Sequence, residues 1–235
     1  MLLRVENIDT YYGLSHVLQG VSLEVDTDEI VTLVGRNGAG KTTTLKSILG
    51  ITPVSSGRIL FKDEDISALS THLIVQRGIS YVPEERRIIP GLSVRENLKL
   101  ALLKSKNRDR EEEMVERVSQ YFPVLRDRLT QDGASLSGGE QQMLAIARGL
   151  VTEPDVMLID EPTEGLMPVL VEIIGEMVQT INREGVTVLL VEQNMEMALS
   201  ISQRAYVMDE GRIQSFGPAQ EILADEEIQR RYLSV

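Results

Sequence analysis

Cysteine and tryptophan are absent from the 235 residues, and histidine occurs only twice, at His16 and His72. Without thiols there is no disulfide framework, no thiolate nucleophile and no Cys/His zinc site. Two well-separated histidines also leave little room for a Ser-His triad. Aromatic residues make up only 4% of the chain, too few for a base-stacking platform. Positive charge is in deficit: 24 Lys and Arg against 36 Asp and Glu leave a net charge of −12. A diffuse polyanion such as DNA is therefore a poor partner, because phosphate contacts need clustered cations. No apolar run approaches the roughly 18–20 residues that cross a bilayer. The opening Met1-Leu2-Leu3-Arg4 meets charge at once, unlike the apolar core of a signal peptide. The expectation is a soluble, cytoplasmic protein whose catalysis would run on carboxylates, lysine, hydroxyls and backbone groups.

Against these absences stands an ordinary globular interior, with 42% hydrophobic and 26% charged residues. Residues 2–9 and 17–25 alternate apolar with polar, as half-exposed strands do. Residues 30–34, 79–82, 156–159 and 186–191 are nearly continuous apolar runs, the pattern of strands buried on both faces. Helical stretches separate the runs, so an α/β fold with a mostly parallel central sheet is predicted. Residues 93–128 differ: they lack a strand pattern, and Lys104–Arg128 holds 7 basic and 6 acidic residues. Met114, Val115, Val118, Tyr121, Phe122 and Leu125 fall on one helical face, which predicts a helical insert. Ala205–Asp209 and Arg212–Phe216 flank Glu210-Gly211 as a hairpin, and a helical tail is expected over about 218–233.

Three motifs carry chemistry. Gly35-Arg36-Asn37-Gly38-Ala39-Gly40-Lys41-Thr42 fits G-x-x-x-x-G-K-[ST] between a buried strand and a helix, the context of a phosphate-binding loop. Its glycines let backbone N–H groups close around phosphate, and the helix N-terminus adds positive potential. Lys41 would reach the β- and γ-phosphates, and Thr42 would offer its hydroxyl to Mg²⁺. Val156-Met157-Leu158-Ile159 ends in Asp160-Glu161, two carboxylates at a strand's carboxyl end, where α/β sheets hold ligands. Asp160 would hold Mg²⁺ through water, and Glu161 would orient or deprotonate the attacking water. Leu136-Ser137-Gly138-Gly139-Glu140 reads as a capping box that opens a helix through residue 150. By average composition that run arises by chance in roughly 4 chains per 10,000 of this length, so its place between the other two motifs is not coincidental.

In this order, the motifs resemble those of the nucleotide-binding subunit of ATP-binding-cassette (ABC) transporters, over the whole chain. The resemblance implies an RecA-like P-loop core with an antiparallel β subdomain, over residues 1–84 and 153–235, and a helical subdomain of about 85–152. It implies ATP at residues 35–43, including Thr43, with Tyr12 stacked on adenine and Tyr11 as its alternative. Mg²⁺ would lie at Thr42 and Asp160 with Glu84 assisting. Ser137, Gly138, Gly139 and Glu140 would act in trans on ATP held by a second ATPase subunit, identical or not. Glu84 stands where most of the family carries Gln, Gln193 where most carries a switch His, and Met167 where Asp is usual. Without a titrating proton, Gln193 would contact the γ-phosphate or the water by hydrogen bonding alone.

Val82-Pro83-Glu84-Glu85-Arg86-Arg87, Glu164–Pro168 and Leu190–Asn194 resemble the LivF-type ATPase of branched-chain amino acid importers, and Tyr11-Tyr12-Gly13 and Arg231-Tyr232-Leu233 agree. Gly-Arg-Asn-Gly and Thr-Glu-Gly are shared with the ATPase of urea or short-chain amide importers. The resemblance places the chain on the inner face of the cell membrane. There it would dock on transmembrane permease subunits through the groove between residues 84–92 and the helical insert, and serve a solute-binding protein indirectly. Two other classes compete: an ABC ATPase acting on nucleic acid, and a noncatalytic regulatory ATP-binding subunit. The missing coiled-coil insertion speaks against the first, and the intact Glu161 and Ser137 against the second.

Overall fold

The computed structural model describes residues 1–103 and 108–233. Positions 104–107 of the expected helical insert lie outside the described residues. The chain opens with the hairpin β1 (Leu3–Tyr12) and β2 (Ser15–Val25), passes through β3 (Ile30–Val34) into α1 (Lys41–Ile48), and returns as β4 (Val54–Phe61) and β5 (Glu64–Asp65). After α2 (Thr71–Gln76) and β6 (Ile79–Val82) comes a helical stretch of α3 (Val94–Leu102), α4 (Glu111–Tyr121), α5 (Pro123–Arg126) and α6 (Gly138–Leu150). Strands and helices then alternate as β7 (Val156–Asp160), α7 (Pro168–Arg183), β8 (Thr187–Glu192) and α8 (Met195–Ile201). The hairpin β9 (Arg204–Asp209) and β10 (Arg212–Pro218) follows, with α9 (Ala219–Ala224) and α10 (Glu226–Ile228) behind it.

Two sheets result. One has four antiparallel strands in the order β2-β1-β4-β5, and the other has six in the order β10-β9-β3-β8-β7-β6. In the larger sheet every neighbour pair is parallel except the β9–β10 hairpin. Every residue of β3, β7 and β8 is buried. That follows from their continuous apolar runs, which suit a sheet covered on both faces. One face packs against α6, α7 and α8, and the other against α1 and the inner face of the small sheet. The parallel strands bring the carboxyl ends of β3, β6, β7 and β8 to one edge, where loops meet helix N-termini.

Three local features depart from the sequence pattern. Strand β4 has no clean apolar alternation because Ser55, Ser56, Gly57 and Arg58 interrupt it, yet it pairs with β1 along a bulged register. Gly57 is required there: at φ +80° it lies so close to the Glu6 and Asn7 carbonyls that a Cβ would clash. The single apolar face of residues 114–125 is split between two helices. Phe122 leaves the helical region at φ −127°, ψ 72°, because a residue preceding proline is driven from it, and Pro123 then starts α5. The expected tail helix is likewise broken at Asp225, whose carboxylate accepts from Glu227 and Ile228 N–H and starts a new turn.

Candidate functional site

The loop after β3 shows why glycine recurs in it. A Cβ on Gly35 would collide with the Met208 carbonyl of β9, and Gly38 and Gly40 adopt φ +80° and +110°. Gly40 caps α1 in a left-handed conformation without a side-chain cap, and the first turn carries no acidic residue. The helix end thus presents N–H groups and partial positive charge to whatever lies in the loop. Arg36, Asn37 and Gly38 are exposed at the rim, whereas Gly35, Ala39, Lys41 and Thr43 are buried.

Lys41 turns back under the loop. Its Nζ donates to the carbonyls of Gly35 at 2.9 Å and Arg36 at 3.2 Å, and pairs with Glu161 Oε1 at 3.0 Å. Both side chains are nearly dry, at 3% and 11% exposure. One residue on, the Thr42 hydroxyl donates to Asp160 Oδ1 at 2.9 Å, and the Tyr81 hydroxyl, from β6, donates to Oδ2 at 2.9 Å. Burial raises the Asp160 carboxyl above the ordinary range, the two hydroxyl bonds pull it back, and the Glu161 charge raises it again. Burial also raises the Tyr81 phenol, and the Asp160 charge adds to that. Two motifs that are 118 residues apart in sequence therefore meet through two direct contacts.

Glu161 itself holds φ +42°, a left-handed conformation for a non-glycine residue, which costs about 1–3 kcal/mol unless its surroundings impose it. Glu84, in the loop after β6, lies at the surface beside this pair. Partial burial raises its carboxyl, and the Glu161 and Asp160 charges raise it further. Gln193 follows β8 and is exposed, with its backbone N–H bound to Glu192 Oε2 at 2.9 Å.

The helix predicted from the capping box is α6, and both halves of the box are present: Ser137 N–H donates to Glu140 Oε2 at 2.8 Å, and Glu140 N–H to Ser137 Oγ at 3.4 Å. The paired glycines differ in exposure. Gly138 is exposed beside the Arg86 guanidinium, whereas Gly139 is buried under Leu170 of α7, whose carbons approach within 2.7 Å of where a Cβ would stand. The glycine at 139 serves close helix packing, and the open part of the motif is Ser137 and Gly138. Tyr12 ends β1 at 47% exposure, with its hydroxyl 3.2 Å from Thr52 Oγ1. Tyr11 is engaged instead in a parallel stack on His16, centroids 4.2 Å apart.

Sequence reasoning missed Tyr81, Thr163 and Glu192. Glu192 is the carboxylate at the end of β8, 1% exposed, and it accepts from Thr163 N–H, Thr163 Oγ1–H and the N–H groups of Gln193 and Asn194 at 2.7–2.9 Å. Its signal was legible: like Asp160, it is an acid that ends a continuous apolar strand. A second depression, of about 330 Å³, lies between the β6 loop, α2 and α6, bordered by Tyr81, Pro83, Arg86, Arg87 and Arg148. Among the described residues, buried Ser80 Oγ and Arg148 Nε at this depression have no hydrogen-bond partner.

The oxygen donors fit a hard divalent cation such as Mg²⁺, which takes few protein ligands and completes its shell with water and phosphate. Thr42 and Asp160 already touch, and Glu84 adds charge nearby.

The family model described as ABC transporter matches residues 18–164. The branched-chain amino acid transport ATP-binding protein BraG of Pseudomonas aeruginosa is 40% identical over 232 residues, 99% of each chain. The lipopolysaccharide export ATP-binding protein LptB of Escherichia coli is 39% identical over 237 aligned positions, covering 98% of this chain and 96% of that one. Among solved structures, the ADP conformation of an ATP-binding cassette of an ABC transporter superposes with a TM-score of 0.86 at 28% identity, covering 97% of both chains.

Proposed function

The chain belongs to the ABC transporter family, and on that premise we propose that it is the ATP-hydrolysing subunit that energises an importer of branched-chain amino acids. The observation that carries the ATPase chemistry is the junction of Lys41 with Glu161 and of Thr42 with Asp160. The lysine ammonium, the threonine hydroxyl and two carboxylates meet at one sheet edge, which supports reading them as phosphate-binding, metal-ligating and water-activating groups. ATP seats its phosphates in the loop over residues 35–43, against the N–H groups that open α1. The γ-phosphate competes for Lys41 Nζ and frees Glu161 to accept the proton of the attacking water. Thr42, Asp160 and Glu84 would hold Mg²⁺, which would supply neutralisation of phosphate charge. Gln193 hydrogen-bonds the γ-phosphate or the water. Ser137, Gly138, Gly139 and Glu140 complete the site of a second ATPase subunit, Ser137 and Gly138 by contact and Gly139 by holding α6 against Leu170.

Tyr12 offers a half-exposed ring at the end of β1, while Tyr11 is occupied by His16. Tyr12→Ala is expected to weaken nucleotide binding by roughly 1–3 kcal/mol, the range for an aromatic–base stack. Because stacking reads no hydrogen-bond edge, ATP and GTP should suffer alike. An unchanged affinity for both nucleotides in a titration would mean that the ring only packs.

No described helix is long and apolar enough to cross a membrane, so the cycle reaches the solute through separate permease subunits at the inner face of the membrane. The depression beside Arg86, Arg87 and Arg148 is their docking place, since it opens between the residue 84–92 loop and the helical stretch. The amino-acid assignment rests on the residue 82–87, 164–168 and 190–194 segments and on the BraG-named relative. The LptB-named relative, almost equally similar, supports a second reading in which the chain drives lipopolysaccharide export. Cells lacking this subunit decide between them. Labelled leucine uptake should be restored by the intact chain and not by Glu161→Gln. Restored lipopolysaccharide export with no change in leucine uptake would favour the second reading, and restored uptake of labelled urea or acetamide would favour an amide importer.

A further inference from the structure

Glu192 is a carboxylate sealed from solvent that the chemistry above does not use. Its two oxygens divide their work. Oε1 accepts from Thr163 N–H at 2.9 Å and Thr163 Oγ1–H at 2.7 Å, and Oε2 accepts from Gln193 N–H and Asn194 N–H, both at 2.9 Å. All four acceptor sites of an ionised carboxylate are thereby filled. Burying such a group is expensive unless it is fully bonded, and a small apolar residue would end a buried strand at less cost. What the carboxylate adds is a two-ended acceptor, and its ends grip different loops.

Those loops are the ones that matter. Thr163 lies two residues after Glu161, and Gln193 directly follows Glu192. From the other side, Glu161 N–H donates to the Val191 carbonyl at 2.8 Å, the bond that closes the last, Asp160–Val191 pair of the β7–β8 ladder. The left-handed turn at Glu161 is thus tied to β8 before and after the strained residue. A conformation of this kind persists only where neighbouring contacts over-determine it.

We propose that Glu192 is a positioning residue that locks the loop carrying Glu161 and the loop carrying Gln193 into one unit, so that the water-activating carboxylate and the γ-phosphate contact move together. The proposal rests on the reading of Glu161 as the proton acceptor. Glu192→Gln is the incisive change: the amide keeps the shape but presents one acceptor and one donor, so it can satisfy only one loop, and its NH₂ opposes the N–H groups of the other. Thr163→Val removes a single hydroxyl donor and touches only the first loop.

The test uses the purified full chain and reads kcat, KM, nucleotide affinity, Tm and amide exchange. For Glu192→Gln, kcat should fall about 10- to 100-fold, as a small misplacement of a reacting group does, while nucleotide affinity stays within about twofold. Thr163→Val should speed amide exchange over residues 193–196 as well as around 163, although valine touches only the first loop. Should Glu192→Gln fail to fold, the exchange pattern of Thr163→Val decides alone. The proposal is overturned if kcat stays within about twofold of the parent, or if kcat, affinity and Tm fall together. Faster exchange confined to the neighbourhood of residue 163 overturns it too. Glu161→Gln serves as the control: if it hydrolyses ATP at the parent rate, the reading of Glu161 has failed, whereas an inactive Glu161→Gln beside a fully active Glu192→Gln refutes the positioning role alone.

Discussion

Glu161→Gln is expected to lower ATP turnover by about 10²–10⁴-fold, the contribution of a positioned proton acceptor, while ATP still binds. The amide fills the same space, and Lys41 keeps the carbonyls of Gly35 and Arg36, so the fold and the phosphate loop should survive. A second copy can then close over ATP and cannot be released by hydrolysis. Light scattering should give about twice 26.2 kDa with ATP and the monomer mass with ADP. Adding Ser137→Arg should abolish that dimer without preventing ATP binding to each copy. Ser137 is exposed at the start of α6, far enough outside the packed helix face that arginine projects from the surface. If the native neighbour is a different ATPase subunit, the mixture with that subunit is the sample to measure. A Glu161→Gln protein that turns over at the parent rate, or stays monomeric with ATP beside its native neighbour, sinks this mechanism.

Lys41→Met should have two large effects that separate. Nucleotide binding should become undetectable, because the loop loses the cation that meets the β- and γ-phosphates. The protein should also lose stability, since methionine strands the buried Glu161 carboxylate without its cation. Breaking a buried pair by removing one partner costs about 3–5 kcal/mol. At about 2–4 °C per kcal/mol for a chain of this size, Tm should fall by roughly 6–20 °C. The double change Lys41→Met with Glu161→Gln removes the stranded charge, so it should recover most of the Tm and none of the binding. Such non-additivity is the mark of a direct contact. Equal Tm for Lys41→Met and the parent would show that the pair contributes nothing to the fold.

Much of this was legible before any coordinates. Strands β3, β6, β7 and β8 follow continuous apolar runs to within a residue or so, because burial on both faces leaves no polar position to blur the pattern. The capping box announced α6 at Ser137 and Glu140, since each side chain answers a backbone group only three residues away. Strand β4 was not legible. Its backbone edge is held by β1 across a bulged register, and an interrupted polar run such as Ser55–Arg58 becomes a strand only once a partner supplies the ladder.

The sequence alone determined the phosphate loop, the paired carboxylates at the end of β7, the capped helix and therefore the family, because each is built from neighbours in the chain. Tertiary structure decided how those pieces act on one another. The grip of Lys41 on Glu161, the cover of Leu170 on Gly139 and the shared hold of Thr42 and Tyr81 on Asp160 join residues from different elements. Glu192 is the clearest case. Its donors lie at residue 163 and at residues 193 and 194, and these meet around one carboxylate only when β7 and β8 lie side by side in the sheet. Side-chain hydrogen bonds reach only about 3 Å, so a contact between segments this far apart exists only after the sheet has brought them together.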